Sequence, residues 1–262
     1  MNLFMASLWA ETLKARRSKV TLLTALGISL LPMVGGLFMI ILKDPERAQS
    51  LGLIGTKAQL AGGVADWTTL FLMLRQGGAI GGGVLFALIT AWVFGREFSD
   101  HTAKELLALP TPREYIVGAK FVLLVGWIFL LTLWIFLLGV GIGLLVDIPG
   151  WSLLLLRTTF GGLLVIALLN FMLMPFVALI ASLGRGYLPP MGWTFLTIAL
   201  AQIMVVLGWG DWFPWSVPAL YSGMAGPAAG QPGVASLGMI AAAFLVGIVA
   251  TFIWWRQADQ SR

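Results

Sequence analysis

Eleven carboxylates, one histidine and no cysteine are the side chains from which this chain of 262 residues could build a reactive centre. The lack of cysteine excludes disulfides, thiolate nucleophiles and Cys-ligated zinc. His101 alone cannot supply a bis-His haem or a multi-His metal site within one protomer. Gly208-Trp-Gly-Asp211 has the Gly-x-Gly-Asp order that would present an aspartate for peptide-bond hydrolysis inside a membrane, but that chemistry needs a second carboxylate sharing a proton. The acids expected on the same side, Asp44, Glu46, Asp66 and Asp147, fall in loops or at the ends of apolar runs. Gly52-Leu-Ile-Gly-Thr-Lys57 lacks the Gly-Lys-Ser/Thr order of a phosphate loop. What remains is the stretch 95–117, where charge concentrates between two strongly apolar runs and a water-soluble partner could make contact.

The elements around that stretch must be membrane helices. Hydrophobic residues make up 59% of the chain and charged residues 10%, with a mean hydropathy of +0.95, far from soluble globular usage. A spanning helix needs about 20 apolar residues, because about 1.5 Å of rise per residue must cross roughly 30 Å of hydrocarbon. Six runs qualify, over residues 20–42, 76–94, 116–146, 158–183, 191–208 and 234–255. The third is longer than a span requires and is expected to tilt or project. The first starts only at Val20 and lacks a small-residue cleavage site, so it reads as an uncleaved span. Twelve tryptophans suit a protein with two interfaces to mark.

Basic residues set the expected orientation. With the N-terminus inside, eleven Lys and Arg lie on the cytoplasmic side against five outside, which puts both termini and the 95–117 loop in the cytoplasm of a cell whose plasma membrane holds the protein. The net charge of +5 is then a topology signal and gives little support to nucleic-acid binding. Within residues 1–19, Phe4, Leu8, Trp9 and Leu13 recur at helical spacing opposite Asn2, Ser7, Glu11, Lys14 and Ser18, which predicts an amphipathic helix in the inner interface.

Gly77/Gly81 and Gly78/Gly82, at the predicted start of the second span, are small-xxx-small pairs that let helices approach closely. Packing within the protomer and a dimer or gating contact are both open readings. Residues 208–233 carry Trp212, Pro214, Trp215 and Pro218; proline breaks helices and indoles settle at headgroup depth, so a broken, re-entrant element is expected before the last span. It would serve either as an outer gate or as an interfacial anchor. Span interiors hold few polar residues, such as Thr132, Asn170 and Gln202, while Arg75 and Arg157 are expected near outer ends, where they can snorkel. Ion-coupled transport needs titratable groups deep in the helices. Without them the chain is a passive pore, an anchor, or the membrane half of a machine driven from outside.

Inside the loop, Ser99 or Asp100 can cap a helix running through about Leu109, with Pro110 and Pro112 to stop it. Ala103, Leu106, Leu107 and Pro110 would form a small apolar face suited to docking, although a solvated basic turn explains the same residues.

The pattern Glu97-Phe-x-x-x-Thr102-x-Lys104-x-Leu-Leu107-x-x-Pro110-x-x-Arg113, followed by Lys120 in a long span, resembles the loop between spans two and three of type-2 ABC exporter permeases, in particular the subgroup serving bacitracin and lantibiotic resistance. Two positions depart from it. His101 stands where such loops commonly have Gly, and Pro112 where they often have Ser. The resemblance implies an all-α integral membrane protein of six spans, with an N-terminal interface helix, a cytoplasmic coupling helix between spans two and three and a broken re-entrant element before the last. It also implies one permease domain over 1–262, paired with itself or a sister permease and driven by a cytoplasmic ATPase dimer that binds the ATP and magnesium. The chain would be a transport subunit and not an enzyme, exporting a hydrophobic or amphipathic substrate such as a peptide antibiotic or drug. Glu97, Thr102, Lys104, Leu107, Pro110 and Arg113 would pass motion from the ATPase. The competing expectation is an ATPase-independent scaffold that recruits another soluble protein through the same loop.

Overall fold

A computed structural model describes residues 2–44, 64–102, 105, 110–224, 226 and 231–257. In chain order the helices are α1 (Leu3–Arg17), α2 (Lys19–Lys43), α3 (Trp67–Gly77), a π-helical turn (Gly78–Gly82), α4 (Gly83–Ser99), α5 (Arg113–Val146), α6 (Leu153–Leu183), α7 (Leu188–Val206), α8 (Val217–Ser222) and α9 (Val234–Gln257). Two short 3-10 turns, Gly210–Trp212 and Pro214–Ser216, precede α8. Among the described residues six helices are long and apolar enough to cross a membrane, with Trp67–Ser99 counted as one. The protein is an all-helical integral membrane protein.

The capping residues explain where helices start. Asn2 accepts the Phe4 amide, and Ser18 both ends α1, by donating its N–H to Ala15, and begins α2, by accepting the Val20 amide on its hydroxyl. One extended residue thus separates two helices that apolar content alone would fuse. Part of the polar side of α1 turns inward. Glu11 and Ala15 are buried against the bundle, while Leu3, Met5 and Trp9 point outward.

The second span corrects the expected boundary. It begins at Trp67, nine residues before the predicted start, with Asp66 as N-cap accepting the Thr69 amide at 2.8 Å. The glycines therefore lie inside the span, where they form the π-helical turn. Such a turn inserts an extra residue and frees carbonyls. Asn170 of α6 answers two of them, donating Nδ2 to Gly78 O at 3.3 Å and to Ala79 O at 3.2 Å. Leu31 of α2 sits over Gly77 and Gly81, so that a Cβ at either would stand 3.1 or 3.2 Å from its methyl. These small residues admit a neighbour of the same protomer.

The other five spans lie within a few residues of their predicted limits. Helix α6 is central, packing on α4, α5, α7 and α9. Its Pro175 meets α9 at Gly247, where a Cβ would come within 2.9 Å of the ring. The bundle has a basal end, carrying α1, the chain after α4 and the C-terminus of α9, and a distal end, carrying the start of α3 and the 3-10 turns. Phe94, Phe98, Phe121 and Trp255 fill the basal core with Trp254 packed against them, and Trp67, Phe71 and Phe136 fill the distal one, where the half-exposed Trp151 edges onto Trp67.

Candidate functional site

At the basal end four charged side chains from three helices meet, three of them buried and Lys14 partly exposed. Lys120 of α5 is fully buried, and its ammonium uses all three donors: Glu11 Oε2 at 3.1 Å, Glu97 Oε1 at 3.1 Å and the Val93 carbonyl at 2.8 Å. Lys14 of α1 reaches Glu11 Oε1 and Glu97 Oε1, each at 2.8 Å. Glu11 and Glu97 are only 5% and 3% exposed. Burial works to discharge Lys14, but the carboxylates of Glu11 and Glu97 outweigh it and hold its pKa above the ordinary lysine value. The set is formally neutral, which is the condition for keeping charges in a low-dielectric interior.

Glu97 links this cluster to the chain that follows α4. Thr102 donates its hydroxyl to Glu97 Oε2 at 3.0 Å and its amide to the Glu97 carbonyl at 2.9 Å, closing the end of the helix. Ser99 is the last residue of α4 and Asp100 its C-cap. His101 takes φ +59°, the left-handed region that glycine enters freely. The departure from Gly noted in the sequence thus falls on a position whose backbone favours Gly. Lys104, Leu107 and most of the helix expected through Leu109 lie outside the described residues; Glu105 is helical and exposed. Pro110 is exposed, Pro112 is the N-cap of α5, and Arg113 donates to the carbonyls of Trp255 and Arg256 at 3.3 and 3.2 Å, on the last turn of α9. A cation there complements the negative end of the helix dipole.

The distal end has no buried set of paired charges among the described residues; its one ion pair, Lys43 with Asp147 at 4.0 Å, is exposed. The 3-10 turns are held by Ser216, whose hydroxyl faces the carbonyls of Gly210 and Phe213. Trp215 packs on Phe176, Trp193 and Phe213, and Pro218 is buried, while Trp212 is 67% exposed. Trp215 and Pro218 close one side of a cavity of about 50 Å³ between α4, α6 and α7, whose polar lining is Asn170, Thr194, Thr197 and Gln202. Arg75 is not at a span end and does not snorkel. Eight residues into α3, it donates to the Tyr221 carbonyl at 3.1 Å, lies 5.6 Å from that ring, and leaves Nε buried without a partner. Gln76 reaches the Gly223 carbonyl at 3.5 Å. Asp211 accepts from Ser236 at the start of α9, and among the described residues no group of three His, Cys, Asp or Glu comes together.

The structure therefore joins Glu97 and Thr102 in one cluster and sets Arg113 apart on α9. Sequence reasoning missed Glu11, Lys14 and Lys120 as its other members. The signal was there: a lysine inside an apolar run, and a Glu-x-x-Lys pair on the polar side of α1, each needing a partner of opposite charge.

The family model described as ABC-2 family transporter protein matches residues 7–202. The chain is 30% identical over 177 residues to the bacitracin transport permease protein BCRB of Bacillus licheniformis, covering 67% of this chain and 84% of that protein. No solved structure matches.

Proposed function

The chain belongs to the ABC-2 family of transporter proteins, and we propose that it is the permease subunit of an ATP-driven exporter whose ATPase docks at the basal end. Membership and the six apolar helices make it a transmembrane transport subunit. On our reading the whole of 1–262 acts as one permease domain, both termini lie in the cytoplasm, the segment 208–233 folds back into the outer half of the membrane, and the permease works as a pair with itself or a sister subunit. The substrate is hydrophobic or amphipathic, in the class of the peptide antibiotic for which the Bacillus relative is named.

The observation that carries this reading is that both ends of the basal loop are clamped. Before the loop, Glu97 and Thr102 are tied through Lys14 and Lys120 to α1 and α5; after it, Arg113 is tied to α9. A push on the loop cannot move α4 alone. It moves the basal ends of α1, α4, α5 and α9 together, because breaking the buried cluster costs about 3–5 kcal/mol. The same motion reaches the π-helical turn at the other end of α4, which borders the cavity closed by Trp215 and Pro218. Opening that closure gives an apolar substrate a path between α4, α6 and α7.

Leu107→Asp and Arg113→Glu test the docking. Each is expected to lower co-purification of the ATPase subunit about tenfold or more, the size of a lost interface anchor, with membrane insertion unchanged. Wild-type levels of ATPase recovered with both variants would refute the reading.

A further inference from the structure

Beside the buried cluster, and separate from the transport path, a cleft of about 460 Å³ opens at the basal end between the last turn of α1, α4 and the turn before α7. Its walls include Lys14, Arg17, Trp92, Arg96, Asp100 and Tyr187. Lys14 is already satisfied by Glu11 and Glu97. Arg17 is exposed and makes no ion pair among the described residues. Arg96 rests on the Trp92 ring at 4.9 Å, with Nε 3.6 Å from an Asp100 carboxylate that is itself half exposed. Two guanidinium groups therefore face one acid, and the cleft carries surplus positive charge.

Its surroundings say what that charge meets. Leu3, Met5 and Trp9 are 48%, 56% and 61% exposed on the outer side of α1, apolar area that water would not stabilise and acyl chains would. Trp92 and Tyr187 stand in the cleft wall, the residue types that settle at headgroup depth. The space is too polar for a hydrophobic substrate and large enough for a glycerophosphate group. Guanidinium forks match phosphate oxygens in geometry and charge.

We propose that this cleft binds the phosphodiester headgroup of an anionic phospholipid, with Arg17 and Arg96 on the phosphate oxygens. The inference rests on α1 lying in the membrane interface and is independent of ATP-driven export. A bound lipid would fasten α1 to α4 beside Glu97, at the place where the basal clamp is set.

The test uses the full chain in mild detergent, stripped of lipid and titrated with phosphatidylglycerol or phosphatidylcholine, with retained lipid read by native mass spectrometry. Phosphatidylglycerol is expected to be retained in preference, and Arg17→Gln and Arg96→Gln each to weaken that retention roughly fivefold, with the protein still monodisperse. Equal retention of both lipids, or unchanged retention in both variants, would overturn the proposal. Displacement of phosphatidylglycerol by glycerol 3-phosphate would overturn it in favour of a soluble phosphate compound. Loss of ATPase co-purification from Arg17→Gln with lipid retention intact would overturn it in favour of an acidic protein segment.

Discussion

At the basal end Lys14 and Lys120 meet Glu11 and Glu97 in a buried, neutral set of four; at the distal end Arg75 meets the carbonyl and ring of Tyr221 and no carboxylate among the described residues. Both ends bury cations in a helix bundle, but they hold them by different means. A pair of full charges in low dielectric is costly to part, because each partner is left uncompensated. A cation on helix-end carbonyls is held by hydrogen bonding and a partial dipole, contributions of a smaller size. The difference teaches which end is built like a joint and which like a latch: the basal contacts are costly to part, and the distal ones less so.

The largest expected effect lies in the basal set. Lys120→Met leaves the two buried carboxylates of Glu11 and Glu97 with Lys14 as their one cation and should destabilise the protein by about 3–5 kcal/mol, read as the shift in a detergent unfolding titration; adding Glu97→Gln should recover part of the loss. If Lys120→Met unfolds like the wild type, the basal end is no joint. Next comes Arg75→Leu, which removes one charge-assisted bond and should cost about 1.5–3 kcal/mol while exposing residues 217–224 to faster amide exchange. A larger loss than that of Lys120→Met would invert the comparison. The smallest effect is at His101, where Gly relieves the left-handed backbone and should stabilise by about 0.5–1 kcal/mol; a loss would show that the imidazole has a role of its own.

Much of this was legible in the chain itself. Unbroken apolar runs of about twenty residues have one physical solution in a membrane, so six spans could be read directly. The start of the second could not, because Arg75 and Gln76 look like the end of a span. Only the carbonyls of Tyr221 and Gly223, almost 150 residues away, make room for them inside. Likewise Glu97 read as a loop residue exposed to a partner, whereas it is interior, since its two lysines come from positions 14 and 120. Glycine pairs signal close approach without naming the neighbour, and Leu31 had no signature in sequence. The helix expected around Lys104 and Leu107 lies outside the described residues.

One helix, Trp67–Ser99, supplies Arg75 to the distal latch and Glu97 to the basal joint. The π-helical turn between them holds a residue more than an α-helix would, and each residue of an α-helix turns the chain by about 100°. The wide turn takes up that residue within about one turn of helix, so the two halves keep a fixed phase, like cams keyed to one shaft. Deleting one residue from the regular helix between Gly83 and Glu97, where no wide turn can absorb the loss, would re-time the rod by about 100°, swinging Arg75 away from Tyr221 while Glu97 kept its place.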